Sequence, residues 1–340
     1  NNFNSSKRGI TLEMGHPDGQ SVARRLIASA DMVVENFRPG LMERWGLDYE
    51  SLAKEHPGLI YVSMPAVAST GPRSYYAGFG TGIKMISGLT MLTGFPGRHP
   101  IGPPQAFPDY CINCGHGATA MTAALLYRRA TGKGQYVEVA QSESTAAVTD
   151  SAILQYTVNG TVPKQLGNRH PIYAPQGIYQ AQGDEQWLAV CATNQREWEA
   201  LAAAAGHPEW VDSAEFGTLP ARRRNHDLLD QAIGAWLATI PGREAERILV
   251  EAGVPAAIMQ VNRDLIEDPH LAARNYYWTL DHPVLGPTVY DGAPFLLSET
   301  PAFGQRPSPC LGEHNFEVYE EAGFTAEEIG ELMASGVISG

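Results

Sequence analysis

Two short apolar segments with a helical segment between them constrain the fold more than any other feature of this sequence. Residues 31–35 (Asp-Met-Val-Val-Glu) and 59–64 (Leu-Ile-Tyr-Val-Ser-Met) are typical of short buried strands, and residues 135–140 form a third. Because helical patterns separate these strands, the alternation predicts a parallel sheet with crossover helices, an α/β layer. Ligands of such sheets bind beyond the carboxyl ends of the strands, where residues 36–38 and 65–72 fall.

The second half of the chain has a different pattern. From about Gly160 short strands are followed by Ala-rich helices, which predicts a second, smaller α+β domain. We therefore predict a large domain over residues 1–158, a small domain over 159–275, and a return segment over 276–340. That last segment holds six prolines between Pro283 and Pro309 and ends in a helix that Thr325 opens. Single helices are predicted over 78–93 and 142–159.

Composition limits the classes of partner. The net charge is −13, and the longest basic run is Arg222 to Arg224, so nucleic acid and anionic membranes are not expected partners. Cys111 and Cys114 have no second pair at zinc-site spacing, and helix packing is expected in place of a metal site. With no signal peptide or membrane-length apolar run, we expect a cytoplasmic protein. Because the sequence begins with Asn1 and not with Met, we also expect an upstream segment.

The main candidate for chemistry is Asp109. A proline-rich loop leads to this carboxylate at the start of a long apolar helix. Free N–H groups and the helix dipole would stabilise a catalytic anion there, but Asp is equally a favoured N-cap, and the local sequence leaves both interpretations open. His116, seven residues later, is predicted on the same helix face. Four basic residues at strand ends and helix starts are candidate phosphate ligands, with solvated surface charge as the alternative: Lys7, Arg8, Arg38 and Arg44.

Several segments, in this order and spacing, resemble the class III CoA-transferases, such as formyl-CoA and carnitine CoA-transferases, a family that includes α-methylacyl-CoA racemases. The similar segments are residues 7–12, 30–40, 44–47, 70–72, 87–89, the Asp109 loop, 128–135 and 311–315. The resemblance implies a Rossmann-like large domain, a small domain, a C-terminal segment that returns to the large one, and an interlocked homodimer. It also implies binding of coenzyme A and no metal. Residues 167–170 look like a family element without an assigned role.

The same resemblance implies the reaction and its residues. CoA would move from an acyl-CoA to a small carboxylic acid through an aspartyl-CoA thioester on Asp109. The positions that match CoA-binding residues of the family are Ser6, Lys7, Asn36, Phe37, Arg38 and Arg44.

This sequence departs from the family at three places. Ala66-Val67-Ala68 replaces a usual Gly-Phe-Gly, Phe79 stands where racemases carry a catalytic His, and Gly80 replaces a common Asp. A phenyl ring cannot transfer a proton, so an acyl-CoA racemase or epimerase is the weaker alternative. The third hypothesis is a truncated, non-catalytic homologue that binds CoA.

Overall fold

The computed structural model describes residues 2–339. Its helices in chain order are α1 Pro17–Ala28, α2 Leu41–Arg44, α3 Tyr49–Leu52, α4 Gly80–Ile86, α5 Cys114–Thr131, α6 Gln141–Ala147, α7 Asp150–Asn159, α8 Gln195–Ala204, α9 Leu219–Arg224, α10 His226–Leu237, α11 Gly242–Glu251, α12 Asn262–Ile266, α13 Pro269–Ala273, α14 Asn315–Glu321 and α15 Ala326–Ala334. The strands are β1 Met32–Glu35, β2 Ile60–Ser63, β3 Gln135–Glu138, β4 Gln176–Gln180, β5 Trp187–Cys191, β6 Ala256–Ile258, β7 Tyr277–His282 and β8 Gly286–Asp291. A π-helical turn, Pro108–Asn113, immediately precedes α5.

A parallel sheet in the order β1-β2-β3 confirms the α/β prediction. Met32 pairs with Ile60, and Ile60 pairs with Gln135, so the three strands begin at one level. All four residues of the central strand β2 are buried. Helices α2 and α3 connect β1 to β2, while α4, the π turn and α5 connect β2 to β3.

Both faces of β2 are covered. Ile60 and Val62 pack with Ala124 of α5, whereas Tyr61 packs in a cluster with Leu47 and Leu52. Alternation of side chains along the strand produces this division, since successive residues point to opposite faces. Burial of each large apolar side chain contributes roughly 1.5–3 kcal/mol. The sheet is therefore a rigid platform for the loops at its carboxyl end.

The described chain divides into two compact units. One comprises residues 2–89, 103–159 and 268–339, and the other comprises 90–102 and 160–267. Residues 90–102, which the sequence placed in the first domain, thus group with the second unit. The boundaries proposed after residues 158 and 275 stay predictions.

The C-terminal residues of the first unit pack on its N-terminal part. The Tyr319 hydroxyl donates to the Thr11 carbonyl over 2.7 Å, and Asn315 accepts from the Thr11 N–H over 2.9 Å. Thr325 and Glu328 form the predicted capping box at α15. The capping-box pattern thus identified the start of the terminal helix, and the return of the chain agrees with what the family resemblance implied.

The second unit is built on an antiparallel sheet in the order β4-β5-β6. Its core joins Leu188 and Val190 of β5 to helices α8, α10 and α11 through Trp198, Ile233 and Leu249. This arrangement of an antiparallel sheet with helices agrees with the α+β pattern of the sequence.

Three element predictions were wrong. The helix expected over 78–93 ends at Ile86, because Gly88 adopts a φ of 85° that stops it, and a 3₁₀ turn follows at Leu89–Leu92. The helix expected over 142–159 is divided into α6 and α7. The proline-rich segment contains the antiparallel hairpin β7–β8, which the sequence did not predict. Within residues 2–339, no helix is long and apolar enough to cross a membrane.

Candidate active site

A cavity of about 900 Å³ opens at the carboxyl end of the parallel sheet. Residues that follow each strand line it: Asn36 to Pro39 after β1, Met64 and Ala66 after β2, and Gln141 after β3. The carboxyl ends of parallel strands meet at one edge, which explains why segments distant in sequence converge here. The predicted site at residues 36–38 is part of this cavity.

Asp109 lines the same cavity. It lies in the first turn of the π-helical segment, with Phe107 at the N-cap position and Pro108 as the first helical residue. The N-cap interpretation is therefore wrong, because the carboxylate is two residues past the cap and makes no capping hydrogen bond. Asp109 is half-buried, and removal from water raises its pKa above the usual value of an Asp, an effect that its own backbone N–H opposes.

Gly80, the first residue of α4, is packed directly against this carboxylate. A Cβ atom at Gly80 would overlap the Gln105 carbonyl oxygen and Asp109 Oδ2. One turn later, the buried Lys84 donates to the Pro103 carbonyl. Helix α4 thus contacts the loop before Asp109 at two points, and only a residue without a side chain fits at position 80.

The N-terminal segment reaches the cavity rim. The Phe3 ring stacks on Tyr110, with ring centroids 4.1 Å apart, and Tyr110 is itself a lining residue. Lys7 Nζ donates to the Phe3 carbonyl over 2.9 Å, and the Ser6 hydroxyl accepts from the Gln305 N–H over 3.0 Å. Neither Ser6 nor Lys7 lines the cavity; both are exposed on a segment that contacts its rim.

The structure brings some of the predicted CoA-binding residues together and leaves others outside. Asn36, Phe37 and Arg38 line the cavity, and the exposed Phe37 ring contacts Trp45 edge-on at 5.5 Å. Arg44 is exposed at the end of α2 and is not a lining residue. Among residues 2–339, neither Arg38 nor Arg44 forms an ion pair, whereas the candidate Arg8 is paired with Glu317 and Glu321.

Sequence reasoning missed Asn113 and Gln141, which also line the cavity. Asn113 Nδ2 donates to Gln141 Oε1 over 3.0 Å, and Gln141 Nε2 donates to the Met64 carbonyl over 2.7 Å. The Ser144 hydroxyl donates to Asn113 Oδ1. One available signal was the position of Gln141, which follows β3 as Asn36 follows β1.

His116 is exposed and does not line the cavity. The prediction assumed an uninterrupted α-helix from Asp109, but the wider π turn changes the phase, so the cavity-facing positions continue through Asn113, Gly117 and Met121. In the second unit, Arg169 is paired with Asp227 and Asp230 and borders a separate cavity of about 620 Å³ together with Asn168.

Comparison with known proteins agrees with this fold. The sequence profile described as "CoA-transferase family III" matches residues 1–315. The succinyl-CoA–D-citramalate CoA-transferase of Chloroflexus aurantiacus is 33% identical over 334 residues, which cover 98% of this chain and 83% of that protein. The succinate–glutarate CoA-transferase of Agrobacterium fabrum is 30% identical over 320 residues, covering 94% and 79%.

A solved structure gives the same result. The CAIB/BAIF family protein from Brucella suis superposes with a TM-score of 0.87 at 29% identity, over 94% of this chain and 82% of that one. The fold, the cavity and these matches show that the chain belongs to CoA-transferase family III. It is an enzyme of this class.

Proposed function

We propose that this enzyme moves CoA from an acyl-CoA to a small carboxylic acid and that Asp109 is its nucleophile. The observation that carries the proposal is the position of Asp109, the one carboxylate among the described residues that line the cavity. The relatives named above are CoA-transferases of succinyl-CoA with D-citramalate and of succinate with glutarate. Their chemistry supports a carboxylic acid as acceptor here.

The reaction proceeds in four substitutions at carbonyl carbons. An Asp109 oxygen attacks the thioester carbon of the donor, and CoA thiolate leaves, which gives a mixed anhydride. The thiolate attacks the Asp109 carbonyl carbon and releases the donor acid, leaving an aspartyl-CoA thioester. The acceptor carboxylate then attacks this thioester and expels CoA thiolate, which gives a second mixed anhydride. The thiolate attacks the acceptor's acyl carbon, which forms the new acyl-CoA and releases the Asp109 carboxylate. Covalent catalysis of this kind divides one difficult exchange into easier steps.

Partial burial prepares Asp109 for this role. Because removal from water raises its pKa, the anion is less stabilised by solvent and is a stronger nucleophile than an exposed carboxylate. Contact with Gly80 limits where the carboxylate can move. The site thus holds the attacking oxygen in place before substrate arrives.

The CoA moiety would extend from the cavity past Asn36 to Arg38. The exposed Phe37 ring offers a stacking surface, and Arg38, without an acidic partner among the described residues, can pair with phosphate oxygens. Lys7 and Arg44 would extend this basic surface, with Ser6 as a hydroxyl donor. Remote binding of this kind positions the thioester without taking part in its chemistry.

The cavity lining favours transfer over racemisation. Exchange of an α-proton needs an acid and a base that face each other across the substrate. Among the described lining residues there is neither a His nor a second carboxylate beside Asp109, and neither Phe79 nor Gly80 has a side chain that can transfer a proton. The lining does include the hydroxyls of Tyr76 and Tyr110 and the thiol of Cys114.

We also propose a homodimer. Helix α7 has no buried residue, and Leu126 of α5 and Leu154 of α7 are 63% and 62% exposed. A helix that buries none of its residues within its own chain and exposes large apolar side chains is typical of a surface that a partner covers. Leu126→Glu with Leu154→Glu should convert a dimer to monomer in light scattering, whereas Leu228→Glu, at an exposed site on α10, should not. A wild-type monomer would refute the dimer.

The test of the nucleophile is covalent trapping. The enzyme is incubated with a panel of acyl-CoA donors, then with hydroxylamine, and peptides are analysed by mass spectrometry. We expect a hydroxamate on Asp109 that depends on acyl-CoA, and no adduct in Asp109→Asn. Full transferase activity of Asp109→Ala would refute the proposal.

A further inference from the structure

A chain of three hydrogen bonds runs along the cavity wall that also holds Asp109. Ser144 donates to Asn113, Asn113 donates to Gln141, and Gln141 donates to the carbonyl of Met64. The chain connects the π turn, the start of α6 and the residue that follows β2. Asn113 is 2% exposed and Ser144 is 7% exposed, so the chain is held in a well-packed environment.

The Met64 carbonyl determines which group donates and which accepts in each of these hydrogen bonds. A backbone carbonyl only accepts, so the Gln141 group that faces Met64 must be the amide NH₂. Gln141 Oε1 is then left to face Asn113, which must present its own NH₂ group. Asn113 Oδ1 consequently faces the hydroxyl of Ser144. The orientation of both amides therefore follows from chemistry.

Each amide retains one more N–H. A primary amide has two donors, and one donor of each is used within the chain. Across residues 2–339, the second N–H of Asn113 and that of Gln141 have no acceptor, although both residues line the cavity. Asp109 and Asn113 both belong to the π turn, four residues apart, and both line the cavity.

We infer that Asn113 and Gln141 donate these N–H groups to the acyl oxygen of the intermediates formed on Asp109, an inference that rests on the proposed nucleophile. As Asp109 becomes an anhydride and then a thioester, each attack places negative charge on a carbonyl oxygen. Fixed amide donors stabilise that charge without reorganising. Both residues are catalytic on this assignment, and Ser144 is a positioning residue.

Gln141→Met tests the assignment, since it removes the donor and nearly conserves volume. We expect kcat to fall about 100-fold, the usual effect of losing one oxyanion donor. The KM for acyl-CoA should change less than about threefold, because the lost bond forms mainly in the transition state. In infrared spectra of the ¹³C-labelled aspartyl thioester, the carbonyl band should move to higher frequency.

Ser144→Ala is the matched control. It weakens the support of Asn113 but removes no cavity donor, so kcat should fall less than about fivefold and the carbonyl band should stay in place. Melting temperatures are measured for each variant, and Asn113→Ala takes the same two readouts if Gln141→Met does not remain folded.

The outcomes separate the two proposals. If no adduct forms on wild-type Asp109, the proposed nucleophile is wrong. If the adduct forms but Gln141→Met retains activity within about threefold of wild type, the donor assignment alone is wrong. If Gln141→Met and Ser144→Ala lose the same factor in kcat and show the same carbonyl frequency, the hydrogen-bond chain has only a structural role.

Discussion

The polar cluster beside Asp109 and the one around Arg222 use their hydrogen-bond donors differently. Beside Asp109, the cavity-lining residues Asn113 and Gln141 each keep one amide N–H that has no acceptor among residues 2–339. In the second unit, the 2%-exposed Arg222 donates to the Ala174 carbonyl over 2.7 Å and to the Phe216 carbonyl over 3.0 Å.

Arg222 has further partners besides these two carbonyls. Its guanidinium also lies over the Trp198 ring at 4.8 Å and donates to Gln195 over 3.3 Å. Burial lowers the pKa of Arg222 to about 10, yet it stays a cation at neutral pH and needs these acceptors. A cluster that ties a buried cation to backbone carbonyls stabilises a fold, whereas a cluster on a cavity wall remains able to bind a ligand.

Asp109→Ala should produce the largest effect on catalysis. We expect kcat to fall at least about 1,000-fold, because the covalent route is lost, with little change in stability. The fall in kcat is measured by following CoA transfer with mass spectrometry, and the stability is measured by thermal unfolding. Asp212→Ala, at an exposed position, is the control and should retain full activity. A large loss of stability in Asp109→Ala would contradict the distinction between the two clusters.

Arg222→Ala should show the reverse behaviour. Removal of this side chain leaves two buried carbonyls unsatisfied and opens a void, so we expect a loss of about 3 kcal/mol in unfolding free energy. Urea denaturation measures this loss. The exposed neighbour Arg223→Ala should stay within about 0.5 kcal/mol of wild type. Wild-type stability of Arg222→Ala would show that the cluster is not structural.

Gly80→Ala should weaken catalysis without unfolding the protein. The added methyl group overlaps Gln105 and Asp109, so the carboxylate must move, and we expect kcat to fall about 10-fold or more. Gly82→Ala in the same helix is the matched control, since its Cβ meets no atom within 4 Å. Equal kcat values for the two variants would refute the contact between α4 and the nucleophile.

The smallest effect concerns pH and stability. The pKa of Asp109 is raised in the folded state, so between the unfolded pKa of 3.8 and the folded value the native state binds more protons. Stability therefore falls as pH rises through this window, and the cost persists at neutral pH. Asp109→Asn should be slightly more stable than wild type at pH 7, a difference that disappears below the unfolded pKa. Lower stability of Asp109→Asn at pH 7 would contradict it.

The sequence pattern predicted those parts of the site beside Asp109 that the order of strands and helices determines. The alternation of strands and helices identified the sheet edge, and with it Asn36 to Arg38. It did not identify Asn113 and Gln141, because neither is charged or part of a motif. Their pairing spans 28 residues and appears only when β3 places α6 beside the π turn.

Local conformation accounts for the remaining errors. A periodicity argument assumes one helix type, and the π turn after Pro108 shifted His116 away from the cavity. Gly88 ended α4 early, although glycine within an apolar run does not reveal its φ angle. The prolines of residues 283–309 favoured an extended segment, so the β7–β8 hairpin was not predicted. Pro287 is nevertheless part of the two-stranded sheet, where it pairs with Asp281.

The neighbouring positions 79 and 80 have unequal freedom to vary. Gly80 is buried against the Asp109 carboxylate, whereas the Phe79 side chain is 82% exposed where it borders the cavity. On the proposed role of Asp109, we expect substitutions at position 79 to change which acids are accepted, whereas position 80 must stay Gly to keep the carboxylate in place. Libraries for new acyl groups should randomise Phe79 and leave Gly80 untouched.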